Sequence, residues 1–150
     1  MIKPEDLRIG DIVKVSCDCE FPKGTVGTVF GINTIDLVKS RKGIITLIPL
    51  DGNDDNWQGV WCDEIEGIPL TPEILEKNEW YPSSGTDPYC YVQEYNLLEV
   101  ELPPHSEWKY AVVGSETLHR IKYVHELQHI LWALGYNAQM TYPEDLDKQK

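Results

Sequence analysis

Three residues near the C-terminus have the spacing of a zinc hydrolase. His125, Glu126 and His129 stand in the run Tyr123-Val124-His125-Glu126-Leu127-Gln128-His129, a literal match to H-E-x-x-H. On a helix, residues four apart lie one turn apart on the same side. Two imidazoles so placed can bind Zn²⁺, and the carboxylate beside them can take a proton from a metal-bound water. Such a zinc needs a third protein ligand. The longer form of the pattern puts Gly at position 132 and His at position 135, where this chain has Trp132 and Gly135. The downstream carboxylates are Glu144, Asp145 and Asp147, in a polar tail. With three fixed positions the pattern also recurs by chance. The expectation is therefore a packing helix with a histidine-bearing solvent side, and a zinc hydrolase is the alternative. No cofactor and no metal are expected.

The element that must position these residues is the clearest helix in the chain, Tyr123 to Leu134. Val124, Leu127, Leu131 and Leu134 recur at spacings of three and four and form an apolar stripe, widened by Tyr123 and Ile130. The two histidines fall roughly opposite that stripe. Gly135 suits a left-handed cap after the last turn.

Two segments carry a resemblance. Ile68 to Asn78 (IPLTPEILEKN) and Ile121 to Gly135 (IKYVHELQHILWALG) resemble segments shared by short bacterial proteins carried on prophages and other mobile elements. In those proteins the helix reads like YVHQLQN followed by an apolar run and Gly, so Glu126 and His129 depart from the pattern. The resemblance covers about a third of the chain and implies a packing helix without implying an activity.

The chain has 150 residues, enough for one domain or two small ones. Its 13 Lys and Arg against 25 Asp and Glu give a net charge of −12. The excess is spread: residues 1–80 carry 8 basic and 15 acidic side chains, residues 81–150 carry 5 and 10. Such a surface repels phosphate backbones and anionic membranes and favours basic protein partners. No charged leader with an apolar core opens the sequence and no apolar run reaches spanning length, so a cytoplasmic location is expected. Cys17, Cys19, Cys62 and Cys90 lack a zinc-ribbon spacing and read as free thiols on strands.

Residues 1–70 read as short strands and turns: Ile12–Val15, Thr25–Phe30, Thr34–Val38, Gly43–Leu50 and Trp57–Ile65. Gly27 marks a bend or bulge, with Val26 and Phe30 on one side of the strand and Val29 on the other. The run Ile44 to Ile48 reads as buried on both faces. This spacing fits a small β-barrel. Lys23 to Ile32, after Gly10-Asp11-Ile12-Val13, resembles the KOW motif of Src-homology-3-like barrels. The resemblance implies barrel geometry and raises RNA binding as an alternative function. The basic residues at hand are Lys23, Lys39, Arg41 and Lys42, and the overall charge opposes nucleic acid.

Thr71-Pro72-Glu73 opens a short helix whose Ile74 and Leu75, with Trp80, pack on the barrel. Tyr81 to Pro88 reads as a linker, dividing the chain into 1–80 and 81–150. Strands follow at Tyr89–Tyr95, Leu97–Leu102, Trp108–Val113 and Thr117–Ile121, the last two joined at Gly114-Ser115 as a hairpin. The tail after Met140 is polar and reads as frayed.

Asp51 to Asn56 begins like a calcium loop, but Asn56 and Cys62 replace its Gly and its bidentate Glu, so it reads as a hairpin loop. His105 and His119 are isolated. Ser83, Ser84 and Ser115 lie in no nucleophile elbow. Trp57 and Trp61, four apart, share a face if one regular strand carries both. With Asp54 and Asp55 they are the expected partner-binding surface. The whole is expected to be an α+β protein: a Src-homology-3-like barrel, then an antiparallel meander packed by one C-terminal helix. Its expected role is a non-enzymatic binding or accessory module for a protein partner.

Overall fold

Alternation of apolar residues generates the first sheet. In a computed structural model, which describes residues 2–33, 43–50, 55–83, 88–113 and 116–142, the strands are β1 (Ile12–Val15), β2 (Val26–Asn33), β3 (Ile44–Pro49), β4 (Gln58–Trp61) and β5 (Ile65–Glu66). All pair antiparallel, in the order β4-β3-β2-β1-β5. Val13, Val15, Val29, Ile45, Leu47, Val60 and Ile65 meet in one core, joined by Ile2, Leu7 and Phe21 from the connecting segments. Burying each such side chain favours the fold by about 1.5–3 kcal/mol.

The register of β2 differs from the expectation. Val29 opposes Leu47 and Gly31 opposes Thr46, so Phe30 is an extra residue in a β-bulge. Phe30, next to the inward Val29, is outward and 64 % exposed, and the bulge turns Ile32 toward the core. Val26 and Phe30 therefore do not share a buried side. Gly27 serves close packing instead: a Cβ there would lie 2.7 Å from Leu47 Cγ and 2.8 Å from the Ile48 carbonyl oxygen. In β3, Ile45, Leu47 and Pro49 are buried while Ile44, Thr46 and Ile48 are half-buried, so the strand alternates rather than being buried on both faces. The stretch Trp57–Ile65 is not one strand. A 3₁₀ turn, Cys62–Glu64, separates β4 from β5.

That turn bends the sheet. Trp61 and Ile65 are joined by only three residues, a reach of at most about 14 Å. In a flat sheet, strands at opposite edges of five would stand about 19 Å apart. The sheet must therefore curl until its edges approach. Cys62 N donates to the Gly43 carbonyl and Ser16 N to the Glu64 carbonyl, pinning the turn at both ends. Among the described residues, β4 and β5 do not pair with each other and the sheet stays open. The strand expected at 34–38 lies outside the described residues.

The chain divides into two units, Met1–Ile68 and Pro69–Lys150. The division falls before the helix α1 (Pro72–Lys77) and not at the expected linker, of which Tyr81 and Pro82 belong to strand β6 (Trp80–Pro82) and residues 84–87 lie outside the described ones. Thr71 caps α1, accepting from Ile74 N at 3.4 Å, and Ile74, Leu75 and Trp80 are buried. Strands β7 (Cys90–Gln93), β8 (Leu98–Glu101), β9 (Lys109–Val113) and β10 (Glu116–Ile121) continue from β6 as an antiparallel meander, in the order β10-β9-β8-β7-β6. The protein is thus α+β, built mostly of antiparallel sheet with one C-terminal helix, α2 (Val124–Ala133). No helix among the described residues is long and apolar enough to cross a membrane.

Gly135 ends α2 at φ +79°, where a side chain would be strained. Gly135 N donates to Trp132 O and Tyr136 N to Leu131 O, satisfying the last carbonyls. Leu134 sits at that cap and is 42 % exposed, so the buried stripe stops at Leu131. The chain then folds back rather than fraying at once. Asn78 holds it: its Nδ2 donates to the carbonyls of Ile74 and Thr141, both at 2.8 Å, and its Oδ1 accepts from Thr141 N at 2.7 Å. Replacing Asn78 with Ala is expected to cost about 1–3 kcal/mol in urea unfolding and to speed amide exchange at Thr141. Thr141→Ala, which keeps the backbone bonds, should stay within about 0.5 kcal/mol of the parent.

Candidate functional site

The HELQH residues are placed by the start of α2. Glu126 is its third residue, and Oε1 accepts from the backbone N–H groups of Lys122 at 3.1 Å and Tyr123 at 3.0 Å. These donors precede the helix, and the carboxylate also opposes the positive end of its dipole. Glu126 is thus turned toward the helix start and engaged there. His125 is not on a solvent side as expected: it is buried, 4 % exposed, as is Gln128. The returning segment meets the helix at Gln128, whose Nε2 donates to Ala138 O at 3.1 Å, and Met140 within that segment is buried. The His125 ring stacks on Tyr123, centroids 5.7 Å apart, and meets the half-buried His129 edge-on at 5.8 Å. Among the described residues no three His, Cys, Asp or Glu side chains gather as a metal ion would require. Glu144, Asp145 and Asp147 lie outside them.

The cysteines are free thiols. Cys17 is exposed and Cys19 half-buried, and burial raises the Cys19 thiol. Cys62 is buried and its Sγ donates to the Ile2 carbonyl at 3.0 Å. Burial, reinforced by the nearby charge of Asp63, pushes its thiol up to about 11. Cys62 is therefore no ligand of a calcium loop. Residues 51–54 of that loop lie outside the described ones, and Asp55 and Asn56 are exposed.

The expected surface in the first unit is present in part. Trp57 is 59 % exposed in the segment before β4. Trp61 is half-buried at the end of β4, opposite Ile44. Because Val60 points into the core, Trp61 and Gly59 face the other way. Asp55 is exposed, and Asp54 lies outside the described residues. The structure adds Phe30, 64 % exposed on β2. On the outer face Gly31 and Gly59 flank Thr46, leaving a row without bulky side chains.

A second candidate appears only in three dimensions. In the second unit an open groove of about 440 Å³ is lined by Glu79, Tyr81, Gln93, Glu94, Tyr95, Asn96, Gly135, Tyr136 and Asn137. Tyr95 is 91 % exposed. Glu79 and Tyr95 both hold left-handed backbone, φ 65° and 70°, a strain that tends to collect where ligands bind. Amides brace the wall: Asn96 Nδ2 donates to Gln93 Oε1 at 2.7 Å, and Gln93 Nε2 to Asn78 O at 2.9 Å. Leu97 N donates to the Tyr136 hydroxyl at 3.3 Å, tying the chain beyond α2 to the loop after β7. His105 and His119 are exposed and are not among the residues that line the groove.

No family model, curated protein or solved structure matches the chain.

If Glu126 works as a cap, Glu126→Ala should lower thermal stability by about 1 kcal/mol. Glu126→Gln, which can still accept from the same N–H groups, should recover most of it. Iodoacetamide at about pH 8 should label Cys17 while sparing Cys62, because the thiolate is the reacting form. The raised Cys62 thiol also makes the folded state hold a proton longer than the unfolded chain. Its contribution to stability is full below the ordinary value of 9.0 and is lost as pH rises toward about 11. A Cys62→Ser comparison across that range checks the sign.

Proposed function

We propose that this chain is a non-enzymatic cytoplasmic module that binds a protein partner through the outer face of its first sheet. The observation that carries this is the exposure of Phe30 and Trp57, with Trp61 on the outer side of β4, next to the exposed Asp55. Large aromatics are expensive to leave in water and are enriched at binding hot spots. The strand order, the bulge in β2 and the short turn before β5 support reading this unit as a Src-homology-3-like small barrel. Grooves on such barrels suit extended peptides. The net charge of −12 favours a basic partner. The likeness of two segments to prophage-borne proteins supports an accessory role.

The competing reading is a zinc hydrolase using His125, Glu126 and His129. The closeness of the two imidazoles favours it; the engagement of Glu126 at the helix start and the burial of His125 count against it. RNA binding through the barrel rests on Lys23 alone among the described basic residues named for it, since Lys39, Arg41 and Lys42 lie outside them.

An array of basic and proline-rich peptides tests the leading reading. Peptides that bind should lose roughly tenfold or more with Trp57→Ala. No binding, or binding indifferent to Trp57, would sink it. Metal content, measured on protein purified without chelator or histidine tag, addresses the competitor: one zinc per chain, lost in His129→Ala, would replace the proposal with the hydrolase.

A further inference from the structure

We infer that the groove of the second unit is a separate binding site for an arginine side chain of a protein partner. Its chemistry is that of a cation receptor. Three tyrosines, Tyr81, Tyr95 and Tyr136, and two acidic residues, Glu79 and Glu94, line the same concavity. Neither carboxylate takes part in an ion pair with a Lys or Arg among the described residues. A cation entering the groove therefore meets two acidic residues that no Lys or Arg among the described residues pairs with.

A guanidinium is the best match among common cations. Its plane stacks on an aromatic ring while its edge donates in pairs to a carboxylate. Tyrosine faces attract it through the ring quadrupole. The amides of Gln93, Asn96 and Asn137 line the same space and can accept the remaining N–H groups. The volume of about 440 Å³ lies in the range of ligand pockets, about 300–1,000 Å³. It is open to solvent-borne chain, as an arginine within a peptide requires.

The walls are held in place before any ligand arrives. The Tyr136 hydroxyl is fixed by Leu97 N, and Asn96 is held both by Gln93 and by its Oδ1 accepting from Leu98 N at 3.0 Å. Gly135 lines the groove at the end of α2, and its positive φ lets the chain turn so that Tyr136 and Asn137 reach it. Pre-formed walls lower the ordering cost of binding.

The test is an NMR titration of the intact chain with a short arginine peptide blocked at both ends. Its citrulline and lysine analogues serve as comparisons. The expected result is saturable shifts of the Tyr95, Asn96 and Asn137 amides with the arginine peptide. A Glu79→Gln/Glu94→Gln variant should bind roughly tenfold more weakly, and added salt should weaken binding further. Glu79 and Glu94 are both exposed, so an unchanged spectrum elsewhere shows that the variant folds. No saturable shift at about 20 mM peptide, or equal shifts with the citrulline peptide, would overturn the assignment. Equal affinity for the lysine peptide would overturn the choice of a guanidinium.

Discussion

One extra residue in β2 decides the character of the first unit. Before the bulge, Val29 faces Leu47 in the core; after it, Ile32 takes the inward position against Ile45. Side chains on a strand alternate strictly, so an insertion of one reverses every face beyond it. Without the bulge, the residues after Val29 would present the wrong side to Ile45 and Val60. With it, the core remains continuous along β2. Phe30, next to the inward Val29, lies on the outer side of the same strand.

The same logic explains the helix that carries HELQH. A helix start leaves backbone N–H groups without intrahelical partners, and Glu126 satisfies two that precede it. His125 and Gln128 are buried polar residues of this helix, and the chain that turns at Gly135 returns to meet Gln128. Residue types that suit a metal site here also suit a cap and a polar seam. Their spacing does not distinguish the two uses, and the carboxylate of Glu126 is engaged at the helix start.

Asn78 links several parts of the second unit with one side chain and one carbonyl. It closes α1 through Ile74, holds the returning segment at Thr141 and receives Gln93 from β7. Gln93 in turn braces Asn96 at the groove. A buried or half-buried amide with all its bonding capacity used in this way gives positional definition that apolar contacts alone do not. The geometry of the groove rests on this network rather than on any one strand.

Much of the local structure was legible in the residues. Thr71-Pro72 marks the start of α1 and Gly135 the end of α2, and the alternation of Leu98, Glu99, Val100 and Glu101 marks a strand with one wet face; each depends on neighbours a few residues away. Val124, Leu127 and Leu131 specify one buried stripe for the same reason. What needed the tertiary structure were effects set by distant chain. Ile32 turns inward because β3 imposes a bulged register on β2. Gln128 is buried with its amide on Ala138, in the segment after Gly135 that returns to α2. The division of the chain before α1, the curl forced by the turn between β4 and β5, and the meeting of Glu79, Tyr95 and Tyr136 in one groove are likewise non-local. Period and capping act through backbone geometry within a turn or two, so sequence alone determines them. Register, coverage and concavity depend on which remote surface arrives, and only the folded chain decides that.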